Sequence, residues 1–325
     1  MLPSPETSRD QLILRLNEVY HDLENQAYDE KHPDILEDEI PRWQRIAADI
    51  LAGTRPPVAA LDVGCGTGFV PLQLREWLGP EDRLTCADLS TAMLTACRTN
   101  LEKAGLRCGL TMLKLDGRSI ELPDRSLDLV TVNAVLHHLA RPQDLCREID
   151  RVLKPGGRVV VGHEPTRTHA ASRFLVWNYR LLLPLVDPKL FVYEVILSLG
   201  LFEIMRGPLG RLVPELEHHN QLLRKVNDSL IASGHIREPL PAATLSSLLD
   251  VQSPTAGGLH HGRGFAREDF ATYFPGYRIE RFETYKHLGK INPRTGWLRK
   301  YEGWLAKRLP EAGSSLLCGL RKSET

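Results

Sequence analysis

No excess of charge marks this chain: Lys plus Arg and Asp plus Glu number 41 each among its 325 residues. Global charge therefore supplies no pull toward nucleic acid or a membrane. Aromatics make up only 6%, and neither an Arg-rich tail nor a basic stripe interleaved with aromatics is present, which disfavours DNA or RNA as substrate. The six cysteines (Cys65, Cys86, Cys97, Cys108, Cys146 and Cys318) form no Cys-x-x-Cys pair. No histidine stands at zinc-ligand spacing from them, so no metal site is expected. Reduced thiols in a cytoplasmic protein are the simplest reading. The opening MLPSPETSRD lacks the charged start and apolar run of a signal peptide. An unbroken apolar span of about twenty residues, the length that crosses a bilayer, is also missing. Repeats and low-complexity segments are absent. The length allows one large α/β domain with an insertion, or two modest domains.

What is present is a change of period. Residues from about Gln11 to Leu51 read as polar, amphipathic helices interrupted at Pro33 and Pro41. After the break at Gly53–Pro57, Val58–Val63 is a short, nearly all-apolar run, as expected of a strand buried on both faces of a parallel sheet. Helices and strands then alternate. Helices are predicted at Phe69–Leu78, Ser90–Ala104 (with Ser90 as N-cap) and Pro142–Leu153. Strands are predicted at Leu84–Ala87, Leu110–Leu115, Leu127–Val132 and, behind the Pro155-Gly156-Gly157 turn, Arg158–Gly162. Short loops between alternating elements indicate a doubly wound parallel sheet. The alternation stops at Pro165 and resumes at Ala266, with a helix to Phe274, a strand at Tyr277–Tyr285, a helix near Thr295–Leu309 and a last strand at Ser315–Arg321.

Between the first strand and its helix stands Asp62-Val63-Gly64-Cys65-Gly66-Thr67-Gly68. Closely spaced glycines there let the backbone turn tightly and approach a ligand. The third glycine of a dinucleotide fingerprint would fall at Phe69, which weakens a nicotinamide oxidoreductase reading, and the Gly-Lys-Ser/Thr ending of a Walker loop is absent. A ligand without phosphate suits the loop better. Asp88 closes the second strand, where a carboxylate accepts hydrogen bonds from the ribose hydroxyls of an adenosine. Asp116 follows the third strand in the same way. Either acid alone is as readily an N-cap; the order of all three signals gives them weight.

The set resembles the class I S-adenosylmethionine (SAM)-dependent methyltransferases, particularly the ubiquinone/menaquinone-biosynthesis branch. The resemblance runs through Leu61–Gly68, Asp88, Asp116, Leu122-Pro123-Asp124, Leu127–Val130, Leu136-His137-His138-Leu139 and Glu148–Arg158. It implies a Rossmann-like, doubly wound, seven-stranded sheet with an antiparallel last strand, with SAM as cofactor. It also implies that Asp62, Gly64, Cys65 and Gly66 line the methionine part, and that Asp88 holds the ribose with Leu89 and Met93 near the adenine. Asp116 and Gly117 then meet the adenine amino group, and Asn133 presents backbone to the methionine end. Expected divisions are an N-terminal helical cap (1–57), the SAM-binding core (58–164), a helical lid (165–264) and the C-terminal part of the sheet (265–325).

Methyl transfer from a sulfonium needs alignment and water exclusion; near-attack positioning supplies roughly 7–11 kcal/mol. A general base is needed only for a protonated acceptor and contributes about 10²–10⁴-fold. Histidine titrates in the useful range, so His137 and His138 after the fourth strand, and His163 with Glu164 after the fifth, are the catalytic candidates. His137-His138 is equally well a packing feature beside the cofactor. His260-His261 reads as a loop, and Tyr20 or Tyr28 as a cap over the cofactor. Phe174–Met205 is unusually apolar but cut by charges and by Pro184 and Pro188. It reads as a lid, a homodimer interface, a wall for a lipophilic substrate or a helix lying on a membrane surface. The expected activity is methylation of a small, apolar metabolite at oxygen, nitrogen or carbon. The alternatives are a SAM-bound enzyme of cyclisation or rearrangement, and a non-catalytic partner subunit, which the three retained acids disfavour.

Overall fold

A computed structural model describes residues 5–24, 33–51, 54, 56–117, 119–198, 214–254, 263–293 and 295–324. Tyr28, His260, His261 and the end of the apolar stretch at Met205 lie outside the described residues. Among the described residues, two helices open the chain, α1 (Pro5–Glu24) and α2 (Pro33–Leu51). Pro33 starts α2, but Pro41, expected as an interruption, lies inside it. Then follow β1 (Ala59–Val63), α3 (Phe69–Leu74), β2 (Arg83–Asp88), α4 (Thr91–Lys103), β3 (Gly109–Lys114) and β4 (Leu127–Asn133). A single 3-10 turn, Leu136–His138, leads to α5 (Pro142–Val152) and β5 (Leu153–Pro165). The insertion holds α6 (Arg167–Ala171), α7 (Arg173–Val186), α8 (Pro188–Ser198), α9 (Pro214–Ala232) and α10 (Ala242–Leu249). The chain closes with α11 (Arg267–Tyr273), β6 (Tyr277–Tyr285), α12 (Gly296–Arg308) and β7 (Ser315–Lys322).

The sheet has seven strands in the order β3-β2-β1-β4-β5-β7-β6, and β7 runs antiparallel to both neighbours. Strand order reverses between β1 and β4, so a crevice opens there, outside the carboxyl ends of the strands. Alternate residues of a strand face opposite sides. Ala60 and Val160 enter one core cluster with Trp43, Ile46 and Leu74. Leu61, Val63, Val159 and Val161 enter a second with Ile149, Phe265 and Phe270. This two-sided burial is what the all-apolar run at Val58–Val63 required. Ser90 caps α4 by accepting the Met93 N–H at 3.0 Å.

Two further sequence expectations are revised. The helix expected to reach Leu78 ends at Leu74. The Pro155–Gly157 turn is absorbed into β5, which begins at Leu153 and pairs with Leu127 before the register shifts toward Leu129. Asp128 occupies the irregularity, accepting the Ala59 N–H at 2.9 Å and the Lys154 ammonium at 2.8 Å on both oxygens.

Packing links segments remote in sequence. Leu16, Val19 and Tyr20 of α1 share a cluster with Leu223 and Leu230 of α9 and Leu245 of α10. Leu175 and Leu183 of α7 instead join Leu288, Ile291, Leu298 and Leu305 near α12. The insertion thus contributes to two separate apolar clusters.

Candidate functional site

The loop after β1 is built by backbone. Gly64, Gly66 and Gly68 have φ of 69°, 51° and 100°, conformations that a Cβ penalises. The Gly64 and Cys65 N–H groups both donate to the Ala87 carbonyl, at 2.7 and 3.0 Å, tying the loop to the end of β2. A Cβ on Gly64 would lie 2.3 Å from Val135 Cγ2, whereas one on Gly66 would meet nothing within 4 Å. The loop is therefore closed at its first glycine and open at its second.

Asp88 stands beside that open side. Its carboxylate accepts the Gly66 N–H at 2.9 Å and the Ser90 N–H at 2.8 Å. Burial raises its pKa above the ordinary carboxyl value, and those two amides oppose the rise. A carboxylate offers about four lone-pair sites, so it retains capacity for sugar hydroxyls. Asp62 lies below the loop at 1% exposure, accepting the Thr131 hydroxyl at 2.5 Å. Burial holds its pKa well above the ordinary value. Its carboxylate braces β1 against β4. Cys65 and Met93 are buried and Leu89 is half-buried. Asn133 ends β4 with its side-chain oxygen taken by the Trp43 indole N–H at 3.2 Å. Asp116 is exposed past β3 and accepts the Ser119 N–H at 3.0 Å.

Helix α1 covers this edge. Asp22 accepts from Ser90 Oγ at 2.5 Å, and Glu18 pairs at 2.6 Å with Lys114, whose ammonium also donates to the Leu89 carbonyl. Leu14 lies so close to Gly117 that a Cβ there would come within 2.6 Å of it. Tyr20 packs in the α1–α9–α10 cluster and donates to Glu24 at 3.2 Å.

The catalytic candidates separate into two groups. Glu164 is fully buried and gathers the 3-10 turn. Its Oε1 accepts the Val135 and Leu136 N–H groups at 2.8 Å each, and its Oε2 accepts the His137 N–H at 3.0 Å and His137 Nδ1 at 2.9 Å. With Nδ1–H donated to a carboxylate, the neutral His137 ring has Nε2 as its acceptor, 3.8 Å from Asp250 Oδ1. Burial alone would lower the His137 pKa, but the Glu164 charge and hydrogen bond, with Asp250 adding, raise it above the ordinary value. His138 Nδ1 is 2.8 Å from the Leu249 carbonyl and 3.2 Å from Asp250 Oδ1. Its ring lies 5.4 Å from that of His21. Against the cost of burial, His138, His137 and His21 hold the Asp250 carboxyl down to about 2.

His163 belongs elsewhere. It is the extra residue of a β-bulge, with φ 54°, where the pairing with β7 passes from Gly162 to Glu164, and it turns to the side of the sheet opposite Glu164. There Nδ1 lies 3.4 Å from buried Glu39 and 3.4 Å from the Tyr285 hydroxyl. Arg42 stacks over the Tyr285 ring at 3.6 Å and approaches Glu39 at 3.6 Å. Sequence spacing signalled neither Asp250 nor Glu39. Asp250 follows an ordinary apolar helix more than a hundred residues from the histidines, and Glu39 sits in one polar helix turn among several. The absence of a metal was expected from spacing alone; folding brings His137, His138 and Asp250 ligand atoms within 4.8 Å of one another. Both Nδ1 atoms already have partners in Glu164 and Leu249.

Comparison with known proteins bears on residues 61–161, which match the family described as Methyltransferase domain. The ubiquinone/menaquinone biosynthesis C-methyltransferase UbiE of Ectopseudomonas mendocina is 30% identical over 158 residues, 48% of this chain and 59% of that protein. The UbiE of Azotobacter vinelandii is 31% identical over 148 residues, 45% of this chain and 57% of that protein. The chain thus spans between half and two thirds of the length of these relatives. Among solved structures, a SAM-dependent methyltransferase from Aquifex aeolicus is 24% identical, covering 38% of this chain and 64% of that one, with a TM-score of 0.35. The matched segment, residues 61–161, holds the glycine loop, Asp88 and most of the parallel strands, and it is this part of the chain that is similar to the methyltransferase family.

Proposed function

We propose that the protein transfers a methyl group from SAM to a small, apolar metabolite, at oxygen, nitrogen or carbon. The observation that carries this reading is the Asp88 carboxylate, fixed by the Gly66 and Ser90 amides beside the one loop glycine whose outer face is open. That pairing fits an adenosyl group: carboxylate for the ribose, bare main chain at Gly64–Gly66 for the amino-acid tail, Leu89 and Met93 with Asp116 and Gly117 for the base. Asn133 and Cys65 complete the methionine side through backbone, and Asp62 supports the loop from below. The cofactor, once bound, supplies an activated methyl electrophile. The chain's own contribution is to align the acceptor and exclude water, for which α1, α9 and α10 form the roof.

Where the acceptor carries a proton, His137 Nε2 takes it, with Glu164 holding the ring and stabilising the imidazolium. His138 and Asp250 position the insertion over this group. His163, turned toward Glu39 and Tyr285, is a structural residue in this reading. The insertion selects the substrate. Incubation with SAM carrying a labelled methyl group and a metabolite extract tests the proposal. Labelled product together with S-adenosylhomocysteine is expected. Turnover of an extract component without S-adenosylhomocysteine would instead mean a SAM-bound rearrangement enzyme.

A further inference from the structure

Helix α7 has two apolar faces, and the fold buries only one. Leu175 and Leu183 enter the cluster with Leu288, Ile291, Leu298 and Leu305. On the other side, Phe174, Trp177, Leu181 and Leu185 are 53%, 60%, 64% and 80% exposed. At 3.6 residues per turn, these four fall within an arc of about 80°. Arg173 and Arg180, both exposed, flank the arc on one edge. Monomeric proteins seldom leave so continuous a stripe bare unless something covers it.

Charge identifies what does. The chain is neutral overall, but this lobe is not. Over the described residues of 172–198 and 286–309, eight Lys and Arg are exposed against one exposed carboxylate, Asp187. Glu194 is engaged by Tyr179 and Lys290, and Glu302 turns inward to His287 and Leu288. Helix α12, joined to α7 through the same apolar cluster, exposes Trp297 and Trp304 by 56% and 47%, and Arg308 lies 5.8 Å from the Trp304 ring. Trp set among Lys and Arg is the composition that settles at a membrane–water interface. The 14 residues of α7 reach only about 21 Å, too short for a hydrocarbon core of about 30 Å. Among the described residues no helix is long and apolar enough to cross a membrane. Pairing α7 with a second copy would set one basic lobe against another, which like-charge repulsion disfavours.

We infer that α7 docks on an anionic lipid bilayer, with Phe174, Trp177, Leu181 and Leu185 in the headgroup–acyl boundary and Arg173 and Arg180 on lipid phosphates. The inference does not depend on methyl transfer. Flotation of the full chain with phosphatidylcholine vesicles, with and without phosphatidylglycerol, tests it. Binding to the phosphatidylglycerol vesicles alone is expected, and it should be lost near 1 M salt, where the Debye length is about 3 Å. Replacing Arg173 and Arg180 with Gln should weaken binding roughly 30-fold, at about fivefold per charge. Trp177→Asp with Leu181→Asp should abolish it while leaving SAM affinity and the thermal melt unchanged, since both side chains are exposed. Brominated acyl chains should quench wild-type tryptophan fluorescence more than that of Trp177→Phe. Three outcomes would overturn the inference: no vesicle binding, binding that survives the Asp pair, or a wild-type dimer that the Asp pair dissociates without any vesicle binding.

Discussion

Replacing Glu164 with glutamine exchanges one carboxylate oxygen for an amide nitrogen in a site at 0% exposure. The remaining oxygen can keep the Val135 and Leu136 N–H groups. The new NH₂ then faces two donors, the His137 backbone N–H and Nδ1–H. The ring can adapt by moving its proton to Nε2, so that Nδ1 accepts from the amide. The His137 N–H cannot adapt. One orphaned buried donor costs about 1–3 kcal/mol, and the other bonds lose their charge assistance at about half a kilocalorie each. A net destabilisation of roughly 2–4 kcal/mol follows. Urea unfolding followed by circular dichroism measures it. A second signature is pH. Because the folded His137 pKa is raised, its stabilisation is fully present below the ordinary value near 6.5 and disappears as pH rises through the folded pKa. Wild-type stability should therefore fall across that window, and Glu164→Gln should lack that component. The proton shift also removes the Nε2 acceptor, so turnover on a protonated acceptor should drop about 10²–10⁴-fold with SAM affinity retained. A variant within half a kilocalorie of wild type at every pH would refute this account of the turn.

Asp88→Ala should weaken SAM binding by roughly 1.5–3 kcal/mol, the range for hydrogen bonds to a charged group; calorimetry giving an unchanged dissociation constant would remove Asp88 from the site. Gly64→Ala should cost about 2–4 kcal/mol, from a left-handed backbone and a Cβ driven into Val135. Adding Val135→Ala should recover the steric part in the same urea experiment, whereas equal losses with and without it would show that the contact does not matter. Asp250 is held at about 2 in the fold, so its contribution is present above the ordinary 3.8 and is lost as pH falls through about 2. Asp250→Asn should flatten the acid limb of the stability profile below pH 4, and superimposable profiles would exclude the His138–Asp250 contact as its source.

The sequence alone determined the sheet and the place of the cofactor loop. Strands buried on both faces must be continuously apolar, so Val58–Val63 and Arg158–Gly162 were legible as strands without any partner. Gly64, Gly66 and Gly68 announced a turn only glycine makes easily, and Asp88 marked the next strand end. Boundaries were less secure where side chains decided them. Pro41 was tolerated within α2, and Asp128 with Lys154 stabilised the irregular pairing that drew Pro155–Gly157 into β5. Only the tertiary structure separated His163 from His137, because a bulge in the pairing of β5 with β7, between Gly162 and Glu164, turns His163 toward Glu39 and Tyr285 while Glu164 meets His137, and strand alternation alone does not place a bulge. Only it brought Asp250 to the histidine pair and laid α1 across Gly117. Those contacts join residues a hundred or more positions apart, and local pattern carries no term for separations of that length. The α7 stripe shows the same division: its spacing was visible in the residues, but which of its two apolar faces would stay uncovered depended on what the fold packed against it.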